Sequence, residues 1–194
     1  VRSYMAVHSS GVHVLCAPRS PEYAELVSAD KVQSLLSLLR TYYDYVIVDT
    51  SPSFTDVTIT AIESSSILFF VTGLDISILR NSKLSVSLLE SLQQTDKIRL
   101  IVNRAVDMNS ITINDVQKII GYPIWAKIPS DYKVAVNALN RGVPFVTGAP
   151  NSKLSASISG LTEILIKGSA DYDLMGKNKN INNNKKKLSL FKKK

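Results

Sequence analysis

The sequence is poor in the residues that build disulfide frameworks and metal clusters. Its 194 residues include one cysteine and two histidines, which excludes a disulfide pair within the chain and leaves no metal-ligand spacing. Both histidines precede every candidate nucleophile loop, which argues against a serine–histidine–aspartate hydrolase. Because Cys16 lies in an apolar run, we expect a buried, unreactive thiol in a reducing compartment.

Long apolar runs are also absent. No stretch of about 18 apolar residues occurs, which excludes a membrane-spanning helix by sequence. No secretory signal is visible at the first residues. A hydrophobic content of 45% over 194 residues is enough for one good core. We therefore expect one globular domain over residues 1–168.

Acidic residues are missing from the last part of the chain, which contains eight lysines over residues 177–194. Subtracting these eight charges from the net charge of +7 leaves −1 for residues 1–176. The near-neutral body predicts no specific nucleic-acid partner. Residues 169–194 are expected to be a disordered basic tail. Residues 185–194 place three apolar side chains between lysines. Three interpretations are open for this segment: contact with an anionic membrane, a solubilising role, or nonspecific contact with nucleic acid.

Apolar runs alternate with segments of helical periodicity along most of the chain. The pattern predicts strands at 11–17, 45–49, 67–71, 97–103 and 124–128. It predicts helices at 29–42, 57–64, 75–94, 113–120, 133–140 and 152–167, the third of them capped by Asp75. Strands separated by helices indicate an α/β fold, with a doubly wound, mostly parallel sheet and helices on both faces.

Polar side chains follow several of the predicted strands. Asp49 ends the second strand, Asn103 and Arg104 end the fourth, and Asp131 comes soon after the fifth. In a doubly wound sheet these strand ends form the rim at which ligands bind. Each residue also has a purely structural interpretation. Asp49 would then be a polar strand end, Asn103 a turn cap, Arg104 a solvated charge and Asp131 a helix N-cap.

Four motifs occur in an order that resembles a known family. They are Tyr-Asp-Tyr-Val-Ile-Val-Asp-Thr-Ser-Pro at 43–52, Leu-Ile-Val-Asn-Arg at 100–104, Ile-Pro-Ser-Asp at 128–131 and Ala-Leu-Asn-Arg-Gly-Val-Pro at 138–144. Together they resemble the C-terminal portion of the MinD/ParA group of deviant P-loop ATPases. The resemblance is closest to the CpaE/TadZ branch, which localises pilus-assembly machinery, and it covers roughly residues 8–168.

The resemblance implies a role at the metal and the phosphates for the first motif. Asp49 is similar to the Walker B aspartate, which positions Mg²⁺ through a bound water. Pro52 closes the D-x-x-P sequence that resembles the start of switch II, the segment that responds to the γ-phosphate of ATP. Without the resemblance, Pro52 is a turn residue.

The resemblance implies contact with the base for the second and third motifs. Asn103 and Arg104 are similar to the pair at the adenine of bound ATP, where a side-chain amide can both donate and accept a hydrogen bond. Pro129 and Asp131 belong to a loop that resembles the one packed against that base. Pro129 is otherwise a turn residue.

The sequence departs from the family at the phosphate loop. No G-x-x-x-x-G-K-[ST] motif occurs, and the one Gly-Lys pair, Gly176-Lys177, is followed by Asn178. The resemblance therefore implies an N-terminally truncated ATPase domain that lacks its first strand and phosphate loop. We expect these 194 residues alone to be inactive toward ATP and to be aggregation-prone or dependent on a partner.

The function implied by the resemblance is that of the parent protein. It would bind and hydrolyse Mg-ATP, form a homodimer and place a cell-envelope machine for pilus assembly or at the division site. It would be cytoplasmic and peripheral at the inner face of the plasma membrane. The alternative is a non-catalytic scaffold derived from the same fold. A response-regulator-like domain fits less well, because Cys16, Ala17 and Pro18 stand where its acidic cluster belongs.

Overall fold

The computed structural model describes residues 2–18, 20–106 and 111–166. The chain divides into two compact units, Val1–Ser66 and Ile67–Lys194, and each is described by itself. The predicted basic tail lies outside the described residues, and so do residues 185–194, for which contact with a membrane was one of the expectations. The assignment of residues 1–168 to one domain stays a prediction.

The described residues of the first unit form a short 3-10 helix (Arg2–Tyr4), a hairpin and three α-helices. The hairpin and the α-helices are, in chain order, β1 (Ala6–Val7), β2 (His13–Val14), α1 (Pro21–Ala24), α2 (Ala29–Leu39) and α3 (Asp56–Ser64). The predicted helices at 29–42 and 57–64 are confirmed with small shifts of their ends. Helices α2 and α3 pack together, and each buries two apolar residues. Thr55 begins α3, because its hydroxyl accepts a hydrogen bond from the backbone N–H of Thr58 at 3.3 Å.

The predicted parallel strand at 11–17 is wrong. Only His13–Val14 is extended in a ladder, and it pairs antiparallel with Ala6–Val7. Gly11 causes the difference, because its φ of +87° is left-handed and lets the chain fold back on itself. The backbone N–H of His8 donates to the carbonyl of Val12 at 2.8 Å across this turn. The expectation of a buried Cys16 is also wrong, since its thiol is exposed.

The predicted strand at 45–49 is also absent from the structure. A strand exists only where its N–H and C=O groups pair with those of a neighbour, and none of the described strands pairs with this segment. Its apolar side chains are correspondingly uncovered, and Ile47 is 89% exposed. The segment has the apolar pattern of a buried strand, but that pattern does not show whether a neighbouring strand is present to pair with it.

The second unit is an α/β layer structure with a parallel sheet. Its strands β3 (Leu68–Thr72), β4 (Ile98–Ala105) and β5 (Ile124–Pro129) lie in the order β3-β4-β5. Both pairings are parallel, which confirms the predicted strands at 67–71, 97–103 and 124–128. The helices are α4 (Ile76–Ser91), α5 (Ile113–Ile120), α6 (Tyr132–Arg141), α7 (Phe145–Gly148) and α8 (Lys153–Ile166).

Each face of this sheet is covered by helices. On one face, Leu100 and Val102 of β4 pack with buried residues of α4 and α5, among them Val86 and Val116. The other face buries Ile101, Trp125 and Ile128 against Leu154 and further residues of α8. The ring of Trp125 stacks on Phe69 with a centroid distance of 5.4 Å. The α/β arrangement predicted from the sequence, a parallel sheet with helices on both faces, is therefore present in this unit.

Helix ends in the second unit follow from local capping. The carboxylate of Asp75 accepts from the backbone N–H groups of Ser77 and Ile78, which begins α4. Helix α5 ends at Gly121, which is left-handed with a φ of +87°. The ammonium of Lys83 donates to the last carbonyl of this helix, that of Ile120, at 3.3 Å.

Of the helices in the described ranges, none has the combination of length and apolar character that crossing a bilayer requires.

Candidate functional site

The carboxyl ends of strands β4 and β5 place four of the predicted site residues next to one another. Ala105 near the end of β4 pairs with Pro129 at the end of β5. The backbone N–H of Ser130 then donates to the carbonyl of Ala105 at 3.3 Å. Asn103 and Arg104 precede this pairing on β4, and Asp131 follows it after β5. The structure thus brings these residues together at the sheet edge where parallel α/β proteins bind ligands.

A β-bulge interrupts the ladder at this edge. Val102 pairs with Lys127 and Ala105 with Pro129, so two residues of β4, Asn103 and Arg104, face the single residue Ile128 of β5. Arg104 takes a φ of +51°, in the left-handed region that a non-glycine residue adopts only at some energetic cost. This bulge could not be predicted from the residue types, because its left-handed residue is an arginine and not a glycine.

The side chain of Asn103 folds back onto the bulge. Its Oδ1 accepts a hydrogen bond from the backbone N–H of Arg104 at 2.9 Å. That N–H is thereby satisfied without a partner on β5. Both side chains are exposed, and within the described residues the Nδ2 group of Asn103 donates to no protein acceptor. Asn103 therefore caps the turn and Arg104 is an exposed charge, as their structural interpretations predicted. Neither role uses the Nδ2 donor of Asn103, which can still bind a ligand.

Asp131 is the N-cap of helix α6. Its Oδ1 accepts from the backbone N–H of Val134 at 3.0 Å, and its carbonyl accepts from the N–H of Ala135. The cap fixes the start of α6 directly after the strand end. The next side chain, Tyr132, is exposed. Asp131 therefore has a demonstrated structural role, and its contact with a base stays a prediction.

A buried hydroxyl pair lies at the end of strand β3. Thr72 and Ser82, of β3 and α4, are both buried, and their hydroxyl oxygens are 2.8 Å apart. Ser82 was not among the site residues predicted from the sequence. A signal was present, because Leu79, Ser82, Val86 and Leu89 follow the helical spacing of the face that α4 buries.

Asp49 and Pro52 belong to the first unit, in the segment that precedes helix α3. Both are exposed, and within the described part of that unit the carboxylate of Asp49 has no hydrogen-bond or ion-pair partner. No cluster of three or more acidic, histidine or cysteine residues occurs among the described residues. A single free carboxylate is nonetheless a suitable Mg²⁺ ligand, because Mg²⁺ commonly uses one or two carboxylates together with water and substrate phosphates. The proximity of Asp49 to Asn103, which lies in the other unit, stays a prediction.

No family model matches this chain. Among curated proteins, it is 28% identical to the septum site-determining protein MinD of Synechocystis sp. over 127 residues, which are 63% of this chain and 47% of that protein. It is 34% identical to the chloroplastic MinD homologue of Arabidopsis thaliana over 112 residues, which are 55% and 34% of the two chains. The chain thus spans less than half the length of these relatives.

Solved structures of ParA and MinD proteins are similar to this chain in fold. A ParA family ATPase from Chlorobium tepidum superposes with a TM-score of 0.79 and 28% identity over 83% of this chain and 66% of that one. Pyrococcus horikoshii MinD in complex with Mg-ADP gives a TM-score of 0.68 at 21% identity over 80% and 64% of the two chains. The MinC:MinD complex of Aquifex aeolicus gives 0.71 at 21% identity over 85% and 67%. The chain is therefore homologous to MinD/ParA-type P-loop ATPases.

Proposed function

We propose that this chain is the base- and metal-contacting part of a MinD/ParA-type ATPase that binds Mg-ATP. The observation that carries the proposal is the bulge at the end of β4, which presents the free amide donor of Asn103 beside Pro129 and Asp131. It lies at the ligand-binding edge of a parallel sheet. The homology to MinD and ParA proteins supports the same assignment.

In this proposal each residue has a separate task. Asn103 hydrogen-bonds the adenine, Arg104 and Pro129 border the base, and Asp131 holds the start of α6 beside it. Asp49 would hold the Mg²⁺, and Pro52 would shape the segment that follows. The bound Mg²⁺ would neutralise negative charge on the phosphates.

Phosphoryl transfer depends on positioning and on stabilisation of charge, to which a phosphate loop contributes backbone N–H groups and a lysine. The 194 residues contain no such motif. We therefore expect Mg-ATP binding to be weak and turnover to be near background for this chain alone.

A chimera tests the proposal. The phosphate-loop segment of the Chlorobium tepidum ParA family ATPase is joined upstream of residue 2, and ATP hydrolysis is measured with and without Asp49→Ala. We expect hydrolysis in the chimera and a loss of roughly a hundredfold or more in the variant. A folded chimera without hydrolysis would favour the non-catalytic scaffold. Full turnover in the variant would remove the role assigned to Asp49.

The biological role of the protein is a separate and more specific proposal than Mg-ATP binding. We propose that the complete protein dimerises with ATP and places a cell-envelope machine, either at the division site or, as in the CpaE/TadZ branch, for pilus assembly. The named relatives are septum site-determining proteins, and one solved structure is a MinC:MinD complex, which supports placement through a partner. Size measurement with ATP and with ADP tests dimerisation, and one molecular mass under both conditions would contradict it.

We also propose that the protein is cytoplasmic and associates peripherally with the inner face of the plasma membrane. The support for this association is the sequence of residues 185–194, in which six lysines flank Leu188, Leu190 and Phe191. Each lysine near an anionic surface contributes about 1 kcal/mol of attraction. Co-sedimentation with phosphatidylserine vesicles is compared between the full chain and a chain ending at residue 184. Equal sedimentation of the two would contradict the membrane contact.

A further inference from the structure

Helix α6 has an apolar stripe that is largely exposed. Residues at spacings of three, four and seven lie on one face of a helix, and in α6 four such residues are apolar: Tyr132, Ala135, Val136 and Leu139. Tyr132 is 79% exposed and Leu139 is 80% exposed. None of the residues of α6 is fully buried. The α6 stripe therefore contributes little to the packing of the second unit.

A different face of α6 holds the helix against its unit. Val134 packs on the core cluster that contains Trp125 and Ile128. Because Val134 is two residues from Tyr132 and five from Leu139, its side chain points to another side of the helix. The stripe is thus exposed while the helix itself is anchored to the core.

The end of α6 explains most of the sequence motif Ala-Leu-Asn-Arg-Gly-Val-Pro. Gly142 takes a left-handed φ of +62°, and its N–H donates to the carbonyl of Leu139 at 3.2 Å. The N–H of Val143 donates to the carbonyl of Ala138 at 3.1 Å. These two bonds form a Schellman motif, which ends the helix. The side chain of Leu139 has no part in this cap, and no residue assigned to the nucleotide needs it.

The face of α6 that borders the stripe carries positive charge. Its residues also follow helical spacing and are Lys133, Asn137, Asn140 and Arg141. Both cations are exposed, and within the described residues neither has an acidic partner. The neighbouring carboxylate of Asp131 is engaged as the N-cap of the helix. The surface therefore combines an apolar stripe with two available cations on its flank.

This combination of groups decides between the candidate occupants of the stripe. A second copy in a two-fold arrangement would bring like charges toward one another. Residues 177–194 carry eight lysines and no acid, so the charges repel this segment also. Membrane binding scales with buried apolar area, and a stripe of two turns, about 10 Å long, offers little. An acidic segment with apolar side chains matches both the charge and the helical spacing of the anchors.

We propose that the α6 stripe is a docking surface for an acidic, amphipathic segment of a partner protein. Apolar side chains of that segment cover Tyr132 and Leu139, and its carboxylates pair with Lys133 and Arg141. None of these four residues is among those assigned to Mg-ATP, so the docking is tested without nucleotide.

A pair of designed peptides tests the docking. Both are helical and carry the same leucines on one face, but one has glutamates at the other positions and the second has lysines. Their affinities for the full chain are measured by fluorescence anisotropy, and amide NMR shifts of the chain locate the contact. We expect the glutamate peptide to bind at least about tenfold more tightly than the lysine peptide, with the largest shifts along α6.

Two double variants separate the apolar anchors from the charges. Tyr132→Ser with Leu139→Ser should weaken binding of the glutamate peptide by about tenfold or more. Leu84→Ser, which changes an exposed leucine of α4, is the matched control and should bind like the wild type. Lys133→Glu with Arg141→Glu should reverse the preference, so that the lysine peptide binds more tightly. Unfolding midpoints show that each variant folds.

Four results would overturn the proposal. The first is failure of the glutamate peptide to bind, or equal binding of the two peptides. The second is a set of shifts centred on α4 and not on α6. The third is a dimer of the peptide-free chain that the double serine variant converts to a monomer, because a second copy would then cover the stripe. The fourth is loss of co-sedimentation with phosphatidylserine vesicles in that variant, which would assign the stripe to a lipid surface.

Discussion

The hydroxyl of Thr72, at the carboxyl end of β3, lies 2.8 Å from the hydroxyl of Ser82 in α4, and both side chains are buried. The contact ties the end of the edge strand to the helix that covers it. Each hydroxyl satisfies the other in a place where water does not reach, so the two groups depend on one another.

Removing one hydroxyl of this pair should destabilise the protein more than removing both. Ser82→Ala leaves the Thr72 hydroxyl buried without its partner, at a cost of about 1–3 kcal/mol. The double variant Thr72→Val with Ser82→Ala should be closer to the wild type. Urea unfolding of the wild type, both single variants and the double variant measures the coupling. Additive losses would show that the contact is not formed.

Helix α4 offers a matched test of the described core. Leu79 is 1% exposed, whereas Leu84 on the same helix is 65% exposed. Leu79→Ala should lower the free energy of unfolding by about 2–5 kcal/mol, because it leaves a cavity in the core. Leu84→Ala should change it by no more than about 0.5 kcal/mol. Similar losses for the two variants in chemical denaturation would contradict the packing of this helix.

The capping box of α5 predicts an acid-sensitive contact. The carboxylate of Asp115 accepts from the Thr112 hydroxyl at 2.6 Å and from its backbone N–H at 2.9 Å, and these bonds lower the pKa of Asp115 below 3.8. Because the folded-state pKa is lowered, the stabilisation is present above 3.8 and is lost as pH falls through the folded value.

A carbon-detected NMR titration of Asp115 measures this shift. The wild-type pKa should lie below 3.8, and Thr112→Val should move it upward, because the first of the two donors is lost. The backbone N–H of residue 112 still donates in that variant, so the pKa of Asp115 should return only partly toward 3.8. If Thr112→Val left the pKa of Asp115 unchanged, the Thr112 hydroxyl would not be the cause of the lowered value.

Asn103→Asp tests the donor that the bulge leaves free. The aspartate still accepts from the N–H of Arg104, but it presents a carboxylate oxygen where the amide presented Nδ2. We expect the affinity for Mg-ATP to fall by about tenfold or more, because the contact to N7 becomes repulsive. Asn103→Gln, which keeps the amide on a longer stem, is the control and should lose less. Undiminished affinity in the aspartate variant would show that Nδ2 does not contact the base.

The local sequence signals were sufficient for most of the second unit. Asp75 before an apolar stripe predicted the start of α4, because the residue that caps a helix is adjacent to it in the sequence. The continuous apolar run at 67–71 predicted a strand, and a partner strand is present to pair with it. Where the neighbour was absent, as for residues 45–49, the same kind of pattern led to the wrong assignment.

The position of the candidate residues at one edge of the sheet could be predicted from the sequence, but their backbone conformation could not. Asn103 and Pro129 could be placed at one edge because the ends of parallel strands meet there. The left-handed backbone of Arg104 could not be predicted, since arginine carries no preference for it and the conformation arises from the unequal lengths of β4 and β5 across the bulge.

The most direct test of the account is an amide NMR titration of the full chain with Mg-ATP. We expect the largest shifts in the second unit at the carboxyl ends of β4 and β5, namely at Asn103, Arg104, Ser130 and Asp131. Residues at the opposite strand ends, such as Ile98 and Tyr122, should remain unperturbed. Shifts concentrated at those opposite ends, or no shifts at saturating Mg-ATP, would contradict the assignment of a nucleotide base site to this edge of the sheet.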